Sequence, residues 1–367
     1  MNTKGVALLD LAAEYQLFKG QILTTVDEVF TSQQFISGPA IVQFEEKLAA
    51  KLEVKHAIAI SSGTDALLCS LMALGIGHGD EVIVPSFTFF ATAGCVSRVG
   101  AKPVFVDIDP RTFNIDPSKL ESVCSPRTRA IIPVHLFGQC ANMDAIREFA
   151  SARKLPIIED AAQAIGAKYK NHYAGGLSDL GCLSFYPTKN LGCFGEGGMI
   201  LTNNSELATT VRQLRTHGES QRYVHDRVGG NFRLDTLKAA ILSIKLDYLD
   251  RFTSRRRHNA ALYDRLLANS GVTTPHVPPQ QDHVYHQYSI LCDNRDGLRS
   301  FLSDRGIASA IYYPVPLHQQ KCFANLHPAS LPTTEQTCSR ILSLPVHPML
   351  TDEDVQYVAS SIRKFCS

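Results

Sequence analysis

The stretch richest in chemical possibility is Ser184-Phe185-Tyr186-Pro187-Thr188-Lys189-Asn190-Leu191-Gly192, followed closely by Gly195-Glu196-Gly197-Gly198. A single lysine stands there among hydroxyl, glycine and apolar residues, directly after a strand-like run. An amine must be partly deprotonated before it can form a Schiff base, and a desolvated site favours the neutral form. The plain alternative is a lysine in a surface loop. Upstream, Glu159 and Asp160 close the run PIIED and lead into Ala161-Ala162-Gln163. A carboxylate ending a buried strand costs free energy unless a cation meets it, and a protonated pyridine nitrogen is a suitable partner. A helix N-cap is the alternative there, and Gln163 either turns its amide to a ring oxygen or faces solvent. Ser61-Ser62-Gly63-Thr64-Asp65 follows the run HAIAI, where a helix begins. Small residues let the backbone approach closely, and free N–H groups at a helix start favour an anion such as phosphate. The same residue types also cap helices without any ligand.

These residues need a frame that presents strand ends to a ligand. From Lys55 to about Asn204 short β-branched runs alternate with segments of helical period, which predicts a wound α/β domain with a mostly parallel sheet. HAIAI, EVIVP, KPVFVDI, RAIIPVH and PIIED are the strand candidates, with helices over Asp65–Leu74, Thr92–Val99 and Asp144–Lys154 between them. Ligands in such sheets sit beyond the strand ends, where all three stretches fall. Glu14–Phe30, Glu206–Thr216 and one long segment, Leu234–Leu267, read as further helices. The expected division is a large domain over residues 1–250 and a small α+β domain over 251–367. In the latter, strands are expected at Tyr288–Cys292 and Ala308–Tyr313, separated by a helix over Gly297–Arg305.

Composition excludes several functions. The 367 residues are 44% hydrophobic and 19% charged with a net charge of +1, so no global basic field would hold nucleic acid or an anionic membrane. The opening MNTKGVALLDLAAEYQ lacks the pattern of a signal peptide and no apolar run is long enough to span a bilayer, which reads as a cytoplasmic protein. Ten scattered cysteines form no Cys-x-x-Cys pair and read as reduced core residues.

The three stretches, in this order, resemble the sugar-nucleotide aminotransferases of the DegT/StrS type, within the fold type I pyridoxal phosphate enzymes. PSFTFFATA, IIPVHLFGQ, IIEDAAQAIGA, SFYPTKNLG, GEGGMI and GGNFRLDTLKAA carry the likeness over nearly the whole chain. The resemblance implies a mostly parallel seven-stranded wound sheet and pyridoxal 5'-phosphate held as a Schiff base on Lys189. It implies that Asp160 pairs with the pyridine nitrogen, Gln163 meets the ring hydroxyl and Phe89 stacks on the ring. Gly63, Thr64 and Ser184 would cradle the phosphate. Asn231 would reach that phosphate from a second subunit, making a homodimer with shared sites the smallest active unit, and Arg233 would meet an anionic group of substrate or donor from across the same interface. L-glutamate is the implied amino donor.

For the acceptor, THGESQRYVHDRVGGNFRLDTL, IYYPVPLHQQ and LSLPVHPML resemble enzymes that aminate C3 of a nucleotide-linked 3-keto-sugar, notably the UDP-2-acetamido-2-deoxy-3-oxo-glucuronate aminotransferases of surface-polysaccharide (O-antigen) pathways. Tyr312 and Tyr313 would then contact the sugar. Tyr312 stands where those enzymes carry histidine, and Lys238 where many relatives carry glutamine. The alternatives are a dTDP-3-keto-6-deoxyhexose 3-aminotransferase, or a non-catalytic regulatory protein on the same fold, whose mark would be loss of the lysine or aspartate. Sugar dehydratases of the family carry histidine at the Lys189 position.

Other motifs carry less. Gly75-Ile76-Gly77-His78-Gly79 reads as a turn because it follows a helix rather than a strand. His283 and His286 lack a third ligand at metal spacing, so no metal is expected. His135 reads as either a pocket residue or a satisfied core histidine, and Arg255-Arg256-Arg257 as a solvated helix face or a dimer contact, with an anion site as the alternative.

Overall fold

The computed structural model describes residues 5–367, so the first four residues of the opening stretch and of the expected 1–250 domain lie outside it. The expected runs form strands at His56–Ile60, Glu81–Pro85, Lys102–Val106, Thr128–Ile131 and Ile158–Asp160. Two more strands, Leu180–Ser184 and Gly198–Thr202, flank the lysine stretch. Glu81–Pro85 pairs in parallel with Lys102–Val106 on one side and Thr128–Ile131 on the other. The other strands form a four-stranded sheet in the order His56–Ile60, Gly198–Thr202, Leu180–Ser184, Ile158–Asp160. Gly198–Thr202 runs antiparallel to both neighbours.

The α/β class is therefore as expected, but the seven-stranded, mostly parallel sheet is only partly met. The three- and four-stranded sheets touch through isolated parallel bridges at Ile131–Ile157 and Val134–Asp160. Prolines explain the interrupted ladder. Pro156 and Pro133 accept from Ile131 and Asp160 at 3.2 and 2.9 Å, yet neither has an N–H to return.

Successive residues of these strands serve opposite faces, as the strand period requires. Ile83 and Ala59 pack into a core with Phe44 and Leu48 of the helix Pro39–Leu52. Val82, Val84, Ile58 and Ile60 join the opposite core with Leu67 and Leu71 of the helix Gly63–Ala73. Burying each such Leu or Ile contributes roughly 1.5–3 kcal/mol. Both sheet faces are thus covered, and the strand ends that carry the candidate residues are left for a ligand.

The C-terminal part has its own apolar cluster, drawn from Tyr263, Tyr288, Leu298, Leu342 and Val358 among others, and joined by Val6. Tyr288–Leu291 pairs antiparallel with Ile341–Leu344, a strand not expected, and the expected strand at Ala308–Tyr313 is not formed. There, Ala310 alone bridges to Ser343 before the chain turns towards Gln163. The expected Leu234–Leu267 helix is two helices, Thr236–Leu246 and Leu249–Leu267. No glycine or proline marks the break; Tyr248 turns there to pack edge-on against Phe18 at 4.9 Å. No helix among the described residues is long and apolar enough to cross a membrane.

Candidate active site

Asp160 ends its strand with only 5% of its surface exposed. Thr92 Oγ1 donates to its Oδ2 at 2.7 Å, and the Ala162 N–H donates to its Oδ1 at 3.2 Å. Burial lifts this carboxyl above the ordinary carboxylate range, against the pull of the Thr92 and Ala162 bonds and of the Lys189 charge. A buried acid of this kind is completed by a cation. Its neighbour Glu159 points elsewhere, accepting from His135 Nε2 at 2.8 Å, the Gly175 and Leu177 N–H groups and Ser178 Oγ. His135 Nδ1 takes the Ala141 N–H, so His135 is a satisfied core histidine that lies behind the site.

Lys189 follows the strand Leu180–Ser184 in a tightly returned loop. Its N–H donates to the Tyr186 carbonyl and the Cys193 N–H to that of Phe185, both at 2.8 Å. Gly192 is required at the return, because a Cβ there would lie 2.3 Å from the Pro187 oxygen. The lysine is partly buried. Desolvation pulls its ammonium down to about 8, with the Asp160 charge acting the other way, so a useful fraction of free amine exists near neutral pH. Next to it Asn190 Nδ2 donates to the Val284 carbonyl at 3.1 Å, and its Oδ1 lies 3.3 Å from His286 Nδ1. Burial, aided by the Lys189 and Arg256 charges, holds His286 well below its usual range, so it is a neutral imidazole. Its position beside the lysine loop was invisible in the sequence.

The loop after His56–Ile60 meets the lysine strand closely. A Cβ on Gly63 would lie 2.7 Å from the Ser184 Cβ, and one on Gly198 would lie 2.4 Å from the Ser62 oxygen. Ser62 is the helix N-cap, accepting the Asp65 N–H at 3.0 Å, and the Ser61 and Ser62 hydroxyls donate to the Asp65 carboxylate. The Gly63 and Thr64 N–H groups belong to the first helical turn, whose donors have no intrahelical partner. Thr64 shares a cleft of about 520 Å³ with Phe89, Phe90, Arg98 and Phe323, and Phe89 is 55% exposed.

Gln163 is oriented at both ends of its amide. Its Oε1 accepts the Phe137 N–H at 2.7 Å and its Nε2 donates to the Tyr313 hydroxyl at 3.1 Å. The Tyr313 ring lies 6.2 Å from that of Phe89. Tyr313 is thereby joined to the same group as Gln163 and Phe89, while Tyr312 is half-buried beside it at 5.8 Å.

Asn231 and Arg233 are placed differently. The Phe232 carbonyl accepts the Ser61 N–H at 2.8 Å, so the segment passes behind the phosphate-type loop, but Asn231 itself faces solvent. Arg233 lines a separate small cavity with Gly38, Glu45 and Arg215. The basic run is corrected as well. Arg256 is buried and donates to the Tyr285 carbonyl, Arg257 to that of His283, and Arg255 binds Asp352 and the Leu350 carbonyl, so the run bridges elements within the chain. Thr92 lies inside the quoted block PSFTFFATA but was given no role there; its hydroxyl at the start of a helix was the available signal.

These observations fit pyridoxal phosphate. A buried carboxylate faces the need for a cation, a lysine is depressed towards neutrality, and a glycine-lined cradle sits at a helix start.

Known proteins agree. A pleiotropic regulatory protein of Geobacillus stearothermophilus is 49% identical, with 98% of each chain covered. UDP-2-acetamido-2-deoxy-3-oxo-D-glucuronate aminotransferase of Pseudomonas aeruginosa is 44% identical, covering 97% of this chain and 99% of that one. dTDP-3-amino-3,4,6-trideoxy-alpha-D-glucose transaminase of Streptomyces venezuelae is 42% identical over 99% of this chain and 97% of its own. The crystal structure of S. venezuelae DesV in complex with a ketimine intermediate superposes with a TM-score of 0.97 at 42% identity, covering 99% of both chains. The model of the DegT/DnrJ/EryC1/StrS aminotransferase family matches residues 17–363. The chain belongs to that family, and it is a pyridoxal phosphate-dependent aminotransferase.

Proposed function

We propose that this enzyme aminates C3 of a nucleotide-linked 3-keto-sugar with L-glutamate as donor, the acceptor being UDP-2-acetamido-2-deoxy-3-oxo-D-glucuronate or, as the alternative, a dTDP-3-keto-6-deoxyhexose. The observation that carries the chemistry is a buried Asp160, fastened by Thr92 and the Ala162 N–H, near a desolvated Lys189 on a tightly returned loop. When bound, pyridoxal phosphate supplies an electron sink and a carrier for the amine. Asp160 holds the proton on the pyridine nitrogen, and Thr92 and the Ala162 N–H keep its two oxygens aimed. Lys189 is the amine that would hold the cofactor covalently, and once released it moves the proton at the reacting substrate carbon. Gly63, Thr64 and Ser184 bind the phosphate, Phe89 covers a ring face, and Gln163 turns its second amide hydrogen to the ring hydroxyl. Asn231 completes the phosphate site from a second copy of the chain, and Arg233 receives an anionic group there.

The glucuronate reading is supported by the 44% identity to the Pseudomonas enzyme, and the dTDP-sugar reading by the 42% identity to the Streptomyces one. A regulatory role is suggested by the Geobacillus relative's name, but the retention of Lys189 and Asp160 favours catalysis. Borohydride reduction of the loaded protein, followed by peptide mass spectrometry, should place the cofactor on Lys189 and leave a Lys189→Ala protein unlabelled. Label on another lysine would overturn the site. Amine transfer from glutamate to a panel of UDP- and dTDP-linked 3- and 4-keto-sugars then decides the acceptor; turnover of a 4-keto-sugar alone would sink the C3 assignment.

A further inference from the structure

One buried charge takes no part in the chemistry above. Lys245, in the helix Thr236–Leu246, is only 5% exposed, and its Nζ lies 2.7 Å from Glu14 Oε1 in the helix Leu11–Ser32. The same ammonium donates to the carbonyl oxygen of Gly192 and lies 5.4 Å over the Phe194 ring and 5.8 Å over that of Phe18. Placing a lysine there is expensive, since desolvating an ion pair commonly offsets what its attraction returns. A leucine or methionine would fill the space at lower cost. What an apolar residue could not do is hold the Gly192 carbonyl.

That carbonyl is the closing point of the Lys189 loop. Gly192 packs directly on the main chain of Tyr186 and Pro187, and the loop's two internal bonds, from Lys189 to Tyr186 and from Cys193 to Phe185, span the same short return. Asn190 is fastened on the other side, to Val284 and His286. Lys245 is the charged fastener, and Glu14 orients it from the N-terminal helix.

We propose that Lys245, held by Glu14, is a positioning residue for Lys189: by fixing the Gly192 carbonyl it sets the loop return that presents the Lys189 amine to the cofactor. This rests on the assignment of Lys189 made above. It also ties the placement of the N-terminal helix to the chemistry of a loop distant in sequence.

The test uses full-length Lys245→Met, Lys245→Arg and Glu14→Gln proteins beside wild type. The rate at which each apoprotein captures saturating pyridoxal phosphate covalently is followed by visible absorption and borohydride labelling. Displacing an attacking group by about 1 Å costs up to about 100-fold, so Lys245→Met should slow capture by roughly tenfold or more, Lys245→Arg should recover most of it, and Glu14→Gln should fall between. Hydrogen exchange of the apoprotein should rise at amides of residues 186–193 and stay unchanged within the helix Thr236–Leu246. Capture by Lys245→Met within about twofold of wild type, or exchange rising equally across both helices, would overturn the proposal in favour of a merely structural ion pair. If Lys245→Met fails to fold, a Glu14→Gln protein matching wild type in both measurements overturns it as well. Wild type labelled at some other lysine would bring down the Lys189 assignment and this inference with it, whereas equal capture on Lys189 in all four proteins would reject only the role of Lys245.

Discussion

Two regions meet near the cofactor cradle and are built in opposite ways. The loop around Lys189 is strapped by main-chain bonds, by Asn190 and by Lys245, and the neighbouring carboxylates of Asp160 and Glu159 are buried with partners on each oxygen. The segment from Gly218 to Asn231 instead projects outward as a short hairpin, pairing Glu219–Gln221 with Val224–His225, and leaves Tyr223 78% and Val228 89% exposed. The buried region holds its groups by bonds within one chain, whereas the exposed region is the one that the proposed second subunit would use.

The largest effect should come from breaking the buried side. Asp160→Asn removes the charge that holds a proton on the ring nitrogen, and turnover should fall by about 10²–10⁴-fold with the cofactor still captured by Lys189. Steady-state rates together with the borohydride label check both halves of that expectation.

Next, Asn231→Ala should lose activity through the other subunit. Mixed with a Lys189→Ala protein under conditions that exchange subunits, it should regain roughly a quarter of wild-type activity, since half the dimers become mixed and each has one intact site. Exchange demonstrated by mass spectrometry without recovery would show that Asn231 serves its own chain.

Thr92→Val deletes one bond to Asp160 while keeping the shape of the side chain. Bonds to charged groups contribute about 1.5–3 kcal/mol, so a loss of about ten- to a hundredfold is expected. The sign with pH is specific. Burial already raises the Asp160 carboxyl and the Thr92 bond opposes that rise; without the bond the carboxyl climbs further, and the acid limb of the rate profile should move to higher pH. A limb that stays in place would mean that Thr92 serves packing only.

The smallest effect belongs to Val228→Ser on the exposed side, which should weaken self-association in sedimentation experiments while leaving turnover within about twofold at high protein concentration. A monomeric wild type with full activity would undo the comparison itself.

Much of this was legible beforehand because it is local. Strand runs such as HAIAI and EVIVP announce themselves by β-branched, fully buried residues, and the strand ends then locate Asp160, Lys189 and Gly63 at the ligand edge. The less legible features depend on partners far along the chain. The Leu234–Leu267 segment breaks at Asp247-Tyr248 without a glycine or proline because Tyr248 packs on Phe18, a contact across more than two hundred residues. Arg255-Arg256-Arg257 looks like a solvated face until Tyr285, His283 and Asp352 are brought against it. Ala308–Tyr313 reads as a strand, yet it meets its neighbours through the Ala310–Ser343 bridge and the Ala308 N–H on the Val6 carbonyl rather than along a ladder, and Tyr313 is drawn off to Gln163.

Local composition and period fix which residue types stand at the strand ends, and hence the class of chemistry: a lysine free of neighbouring charges, a strand-ending aspartate and a glycine at a helix start. How those groups are tuned depends on the folded chain. Burial, Thr92 and the straps on the Lys189 loop act through space, and desolvation and hydrogen bonding depend on which distant residues pack together rather than on which are adjacent in the chain.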